Sequence, residues 1–315
     1  MLTASLTAAT MLGPMTPAAV GATTTATTTP SRQASCATAW DVVARESVGL
    51  THDDAAAWNR VSEAFISLSD ESFDGPVSNA LGDVFTASAD VGAALASATG
   101  GAASHADFDA ALGALGTVCA HLTVTQHKQD VARFQRFSYQ SGTLSGLRAS
   151  AATRANTTIA SAVDRAVHAA RRTSGVACLG GSTECGYFVH EIRQRPCVAG
   201  VVCIRQQSAV LPVGANDGQD SVVTLALDSL TGRRVPLSRM VPASALPPFL
   251  ADLNAAVRTR LAAGGLGDDP YWDITLTRND VHAWLPQPDG IHVWFDKFAV
   301  APGSFGIVHV VVPWP

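Results

Sequence analysis

The stretch Asp289–Pro315, DGIHVWFDKFAVAPGSFGIVHVVVPWP, decides the fold class. Two runs in it, IHVWFDKF and GIVHVVVP, are rich in β-branched and aromatic residues and flank a short Ala-Pro-Gly-Ser break. That is the pattern of two strands and a connection. In the first run Ile291, Val293 and Phe295 alternate with His292, Trp294 and Asp296, so one side is apolar. In the second, Phe305, Ile307, His309 and Val311 share one side, and Val308, Val310 and Val312 the other. A strand apolar on both sides is predicted to lie in the middle of a sheet. A terminus that apolar calls for a sheet to take it in.

The same texture continues upstream. GYFVHEIRQRP and VVCIRQQSAVLP are β-rich runs separated by Cys197-Val198-Ala199-Gly200, a hairpin. A further strand from Ser221 runs into Asp228-Ser229-Leu230-Thr231-Gly232-Arg233. Phe137–Gln140 is predicted as a strand, followed by a Ser/Gly-rich loop. The next helix has Asn156 near its start and Ile159, Val163 and Val167 on one side, with Arg171-Arg172 where the helix dipole favours cations. Leu246–Leu261 is predicted helical, and Trp272–Leu276 and Ala283–Leu285 extended.

This order of elements resembles the DUF4163/DUF3298 domain family. That family includes the extracytoplasmic domain of the lysozyme-sensing anti-sigma factor RsiV, accessory domains of PdaC-type polysaccharide deacetylases and a secreted mycobacterial antigen. The ending carries most of the resemblance: a Gly-containing turn, an aromatic-rich strand, a Pro/Gly break and a last strand ending in Pro. The likeness spans about residues 134–315. It implies a mixed α+β sheet of RsiV-like type and a module that binds or assists rather than catalyses. The metal motif of the deacetylases is absent, as is a cytoplasmic sigma-binding segment, so transcriptional regulation is not expected. No local motif carries the relatives' lysozyme contacts over to this chain.

With 315 residues there is room for two domains, at ~100–200 residues each. A hydrophobic fraction of 47% with 15% charged residues argues for a globular chain. Residues 36–130 are predicted as an all-α helical bundle, with helices throughout 37–128. Thr51-His52-Asp53-Asp54 has capping-box form ahead of Trp58, Val61, Phe65 and Leu68 at helical spacing. A helix over Ser72–Ser97 follows. Ser104-His105-Ala106-Asp107 then reads as the cap of a fourth.

Residues 1–22 resemble a signal peptide, with Val20 and Ala22 placed as for cleavage but without the cationic start; an upstream start would supply it. Gly13, Pro14 and Pro17 interrupt the apolar run, so no stable membrane span is expected. Residues 23–35 read as a Thr-rich linker. Six cysteines fall into two regions with an even count in each, Cys36 and Cys119, then Cys178, Cys185, Cys197 and Cys203. Their spacing matches no usual zinc motif, so disulfides in an exported or cell-wall-associated protein are expected. A Cys36–Cys119 bond would pin the first helix to the last, and a Cys197–Cys203 bond would staple the hairpin.

No motif for catalysis is complete. His190-Glu191 lacks the second histidine of a zincin, and Gly142–Gly146 has the wrong spacing for a nucleophile elbow. His282, His292 and His309 would suit zinc or hydrolysis if they converged with Asp296 or Asp280. No metal or cofactor is expected. The net charge of −5 gives no argument for nucleic acid as a partner. Trp272, Trp284 and Trp294 form a binding platform if they share an exposed face, and core if they meet the helices. The reading is a secreted, non-catalytic binding protein whose partner is a protein of lysozyme type or a cell-wall glycan. The alternative is a cell-wall or glycan hydrolase with a His/Asp site on the C-terminal sheet.

Overall fold

Alanine-rich amphipathic sequence gives the first four helices, α1 (Arg32–Glu46), α2 (Ala55–Ser69), α3 (Gly75–Ala96) and α4 (Ala102–Cys119). The computed structural model describes residues 31–46, 54–69, 75–97, 102–132, 134–173, 186–213, 215, 217–266 and 274–314. Cys36 and Val43 from α1, Trp58 and Phe65 from α2, Leu81 and Val84 from α3, and Leu112 and Leu115 from α4 share one apolar core. Asp54 caps α2, its Oδ1 accepting from the N–H groups of Ala56 and Ala57 at 3.0 and 3.1 Å. The proposed box residues Thr51–Asp53 lie outside the described residues, as do the signal-peptide segment and most of the linker. Two boundaries differ from the sequence reading. Helix α1 starts at Arg32, inside the stretch read as linker, and α4 starts at Ala102, so Ser104–Asp107 lie within it rather than capping it.

The helical reading also ran too far, because β1 (His121–Gln129) is a strand. Thr123, Val124 and Thr125 are consecutive β-branched residues, which favour extended backbone. Leu122 is buried opposite Leu144, and the Gln194 amide ties β1 down by accepting from Leu122 N–H at 2.9 Å and donating to Ala120 O at 3.0 Å. The sheet continues with β2 (Phe134–Ser145), β3 (Gly186–Arg195), β4 (Val201–Leu211) and β5 (Gln219–Asp228), in the order β1-β2-β3-β4-β5. All neighbours are antiparallel except β2 and β3, so the sheet is mixed. The parallel pair needs a crossover, supplied by α5 (Ala149–Arg172). Ala151, Ala155 and Ile159 of α5 pack on Leu144, Ile192, Ile204 and Leu225. Asn156 fastens helix to strand: its Oδ1 accepts from Leu144 N–H at 2.7 Å and its Nδ2 donates to Leu144 O at 3.0 Å. Strand β2 therefore runs on through Gly142–Ser145, which sequence had assigned to a loop.

After the short α6 (Leu237–Met240), α7 (Leu246–Ala263) leads to a second sheet of β6 (Ala283–Gln287), β7 (Gly290–Phe295) and β8 (Val308–Val312), all antiparallel. The terminal strands thus form their own three-stranded sheet instead of joining the mixed one. The final strand is at an edge, not central: β7 takes the middle and is buried throughout, while His309 and Val311 of β8 are exposed. Ile274–Leu276, expected as strand, is irregular backbone held by Asn254, which accepts from Leu276 N–H at 2.7 Å. Phe249, Leu253 and Val257 of α7 share a core with Ile291, Val293, Phe295, Val308 and Val310, and this core continues into Cys203 and Val222 of the mixed sheet. Thr224 joins the two sheets, its hydroxyl accepting from Trp284 N–H at 2.8 Å and donating to Trp284 O at 2.9 Å.

One buried group makes the fold acid-sensitive. His190 is 1% exposed under α5's side of the mixed sheet, with Nδ1 2.9 Å from Ser208 Oγ. Burial pushes its pKa down to about 4. The unfolded chain takes up this proton near pH 6.5 and the folded one only near 4. Stability is therefore full above pH 6.5, declines as pH falls through that interval and levels off below it. The interval corresponds to about 3 kcal/mol, at ~1.4 kcal/mol per pH unit. Urea unfolding at pH 7.5 and 4.0 should show this loss in the wild type in addition to that from His309, which is also held down to about 4, and His190→Gln should remove the His190 share alone.

Candidate functional site

Strand parity sorts β7 into two sides. Ile291, Val293 and Phe295 go to the α7 core, whereas His292 and Trp294 go to the other face. There Trp294 is paired with His309, and His292 with Leu285 and Val311. The Trp294 and His309 rings stack at 4.6 Å with 13° between planes. His292 Nδ1 lies 3.0 Å from His309 Nε2, and His292 Nε2 lies 2.8 Å from Asp289 Oδ1 in the β6–β7 turn. The hydrogen bond from His292 holds the Asp289 carboxyl below the usual range. Desolvation first, then the neighbouring His292, Arg205 and Arg195, bring His309 down to about 4. One proton arrangement satisfies the line with Asp289 ionised and no charge on the two rings. His292 donates through Nε2 to Asp289 and accepts at Nδ1 from His309 Nε2–H. The remaining nitrogen, His309 Nδ1, is then a proton acceptor.

The mixed sheet supplies cations to this face. Arg205 on β4 lies over the Trp294 ring, 6.0 Å from its centroid. The β3–β4 register sets Arg193 directly opposite Arg205 and Arg195 opposite Cys203, so the arginines share a side. Like charges directly opposite one another disfavour a sheet. Arg193 is relieved by Glu191 at 2.8 Å. Arg195 and Arg205 make no hydrogen bond or ion pair among the described residues, and Arg195 Nε is buried without a partner. Burial, then Arg195 and Arg193, lower the pKa of Arg205. Two half-buried guanidiniums that make no ion pair, with a histidine edge beside an aromatic ring, are suited to a carboxylate or phosphate group, although Glu191 already offsets part of the charge on Arg205.

The expected convergence of three histidines is reduced to two. His282 precedes β6 on the Trp284 side of the strand and is exposed beside Trp284 and Arg234, within electrostatic reach of Asp280 and Asp296. Asp289, which sequence had not singled out, takes the place of Asp296 or Asp280. Asp296 instead accepts from Val222 N–H at 2.7 Å, joining the sheets. Trp284 and Trp294 lie on opposite faces of β6 and β7 and are 8% and 3% exposed. Enclosure between the mixed sheet and α7 removes them from any exposed platform; Trp294 is the floor on which His309 and Arg205 rest. Trp272 lies outside the described residues. Cys36–Cys119 and Cys197–Cys203 are disulfides. Cys178 and Cys185 lie outside the described residues. Among the described residues no group of three metal-ligating side chains could hold an ion, and no helix is long and apolar enough to cross a membrane.

Arg195 and Arg205 escaped the sequence reading, although their signal was present. The runs EIRQRP and CIRQQS flank the Cys197–Cys203 hairpin, and a hairpin stapled there sets Arg193 against Arg205. No family model matches the chain, and no curated protein matches it. Similar solved structures include a DUF3298 family protein from Pseudomonas aeruginosa PAO1, at 16% identity and TM-score 0.44, covering 62% of this chain and 90% of that one. Another is a DUF3298 family member from Bacteroides fragilis, at 12% identity and TM-score 0.40, again covering 62% and 90%.

Proposed function

We propose that this is an exported, non-catalytic binding protein of DUF4163/DUF3298 type, and that the Arg195–Arg205–His309 corner recognises an acidic group on a cell-wall glycan. The observation that carries the reading is the pair of half-buried arginines that make no ion pair or hydrogen bond among the described residues, Glu191 reaching Arg205 only through space. Burying a cation beside another is costly, and an anion seated between them recovers that cost. The disulfides and the signal-peptide-like start support export. A partner of lysozyme type is the other outcome of the same test. Titration calorimetry of the oxidised protein with soluble peptidoglycan fragments and with C-type lysozyme should give heat with the fragments, weakening as salt rises. Arg195→Ala with Arg205→Ala should weaken that binding at least ~10-fold, since hydrogen bonds to charged groups contribute ~1.5–3 kcal/mol each. No heat with the fragments, or affinity indifferent to the double substitution, overturns the proposal.

One observation favours a second reading, glycan hydrolysis with His309 as general base: Asp289, His292 and His309 stand in a hydrogen-bonded line, at 2.8 and 3.0 Å, that can leave His309 Nδ1 as its proton-accepting end. Release of reducing ends that His309→Gln abolishes would establish it. Binding without turnover leaves the first reading standing.

A further inference from the structure

We propose a second acidic-sugar subsite on the outer face of the mixed sheet, in a pocket between Lys128, Arg136 and Tyr187. It rests on the glycan-binding reading of the Arg195–Arg205–His309 corner and extends it: the ligand is a polymer with repeating acidic groups. Strand parity sets the face. On β3, Phe188 and Ile192 go to the α5 side, so Tyr187, Val189, Glu191 and Arg193 go to the outer side. Arg136 stands opposite Tyr187, and Ser138 opposite both Val189 and Lys128. Arg136 faces outward because β2 is irregular. Phe134 and Phe137 share the α5 side although three residues apart, which the two-residue period forbids. A register shift between Phe134 and Arg136 supplies the extra residue and turns Arg136 out beside Tyr187.

A pocket of about 700 Å³ opens over these residues, a volume usual for small-ligand sites. Arg136 Nε donates to Ser138 Oγ at 3.4 Å, and neither Arg136 nor Lys128 makes an ion pair among the described residues. Asp130 is the single acid lining the pocket among the described residues, so its net charge is positive. Tyr187 is 37% exposed and makes no hydrogen bond or ring contact among the described residues. An exposed aromatic ring beside a guanidinium suits a sugar bearing a carboxylate: Tyr187 covers the apolar face of the sugar and Arg136 takes its acid. Four residues of β3, about 13 Å, lead from Val189 to Arg193, which pairs with Arg205. Glu191 lies between and is held by Arg193 at 2.8 Å, so that stretch of β3 presents no uncompensated acid to a chain lying along it. The disulfides fit an oxidising compartment, where acidic polymers are glycans rather than nucleic acids.

Calorimetry of the oxidised protein with peptidoglycan glycan fragments of one disaccharide repeat and of four repeats separates the two positions. The longer chain should bind at least ~10-fold more tightly, because its second contact is intramolecular. Arg136→Ala with Tyr187→Ala should remove that gain, with circular dichroism unchanged, and leave the one-repeat fragment bound at the corner. Arg195→Ala with Arg205→Ala should weaken the one-repeat fragment as well. Equal affinity for both lengths in the wild type, or a gain that survives Arg136→Ala with Tyr187→Ala, overturns the subsite and leaves the corner standing. No heat with either length removes both. A single-stranded oligonucleotide of matched charge that binds as tightly as the longer chain also overturns the subsite, since charge alone would then account for the gain.

Discussion

Replacing Cys36 and Cys119 together by alanine is expected to cost the folded protein about 4–5 kcal/mol. The bond joins residues 83 apart in sequence, so the reduced unfolded chain gains the freedom of a long open loop. Both cysteines are buried, at 1% and 4% exposure, in the core that α1 to α4 share. That core is built largely from alanine, valine and leucine, so each helix has little apolar area of its own to offer. Helix α1 is the most dependent on the bond. A tie from α1 to the sheet region is Trp40, whose Nε1–H donates to Gly146 O at 2.8 Å. Urea unfolding should show the loss directly, and a reductant should destabilise the wild type far more than the double variant. The Cys197–Cys203 bond closes a loop of sequence separation 6, so its reduction contributes the smaller share in both proteins. A loss under ~1 kcal/mol would mean that α1 is held by packing alone.

Much of the C-terminal region was legible because its strands obey the simple period of two. The alternation of Ile291, Val293 and Phe295 against His292 and Trp294 was visible in sequence and is present in β7. What sequence could not supply was the partner of each face. Valines on both sides of β8 suggested a central strand, but α7 covers one side and the other is open at His309 and Val311. Apolar composition reports burial averaged over a strand and does not say which neighbour provides it. The β1 error has a related cause. His121–Gln129 carries one buried residue, Leu122, so it has almost no hydrophobic period, and its strand state depends on pairing with β2 and on the Gln194 amide. The site was half legible. His292 and His309 were candidates from parity, whereas Asp289, Arg195 and Arg205 enter through a turn and a neighbouring sheet that only the tertiary fold brings close.

Gly146→Ala is expected to prevent stable folding, costing at least ~4 kcal/mol, and Gly200→Ala shows why. Both glycines have φ of +79°, a conformation that charges an alanine ~1–2 kcal/mol. At Gly200, in the β3–β4 turn, a Cβ meets nothing within 4 Å. At Gly146 it would sit 1.8 Å from the carbonyl oxygen of Cys119 and 2.7 Å from its carbon. That obstacle is backbone, fixed by the end of α4, by the Cys36–Cys119 bond and by the start of β1, so it has no flexible end to swing aside. Gly146 also receives the Trp40 indole, so displacing it would detach α1 and α4 from the end of β2 together. The matched φ cancels the conformational cost between the two variants. What remains in the difference of their unfolding free energies is the close approach of the helical region to the mixed sheet, expected at more than ~2 kcal/mol. Equal losses in the two variants would show that the helices stand further from β2 than this junction requires. In that case the Trp40–Gly146 hydrogen bond should also be dispensable, and Trp40→Phe should leave stability unchanged.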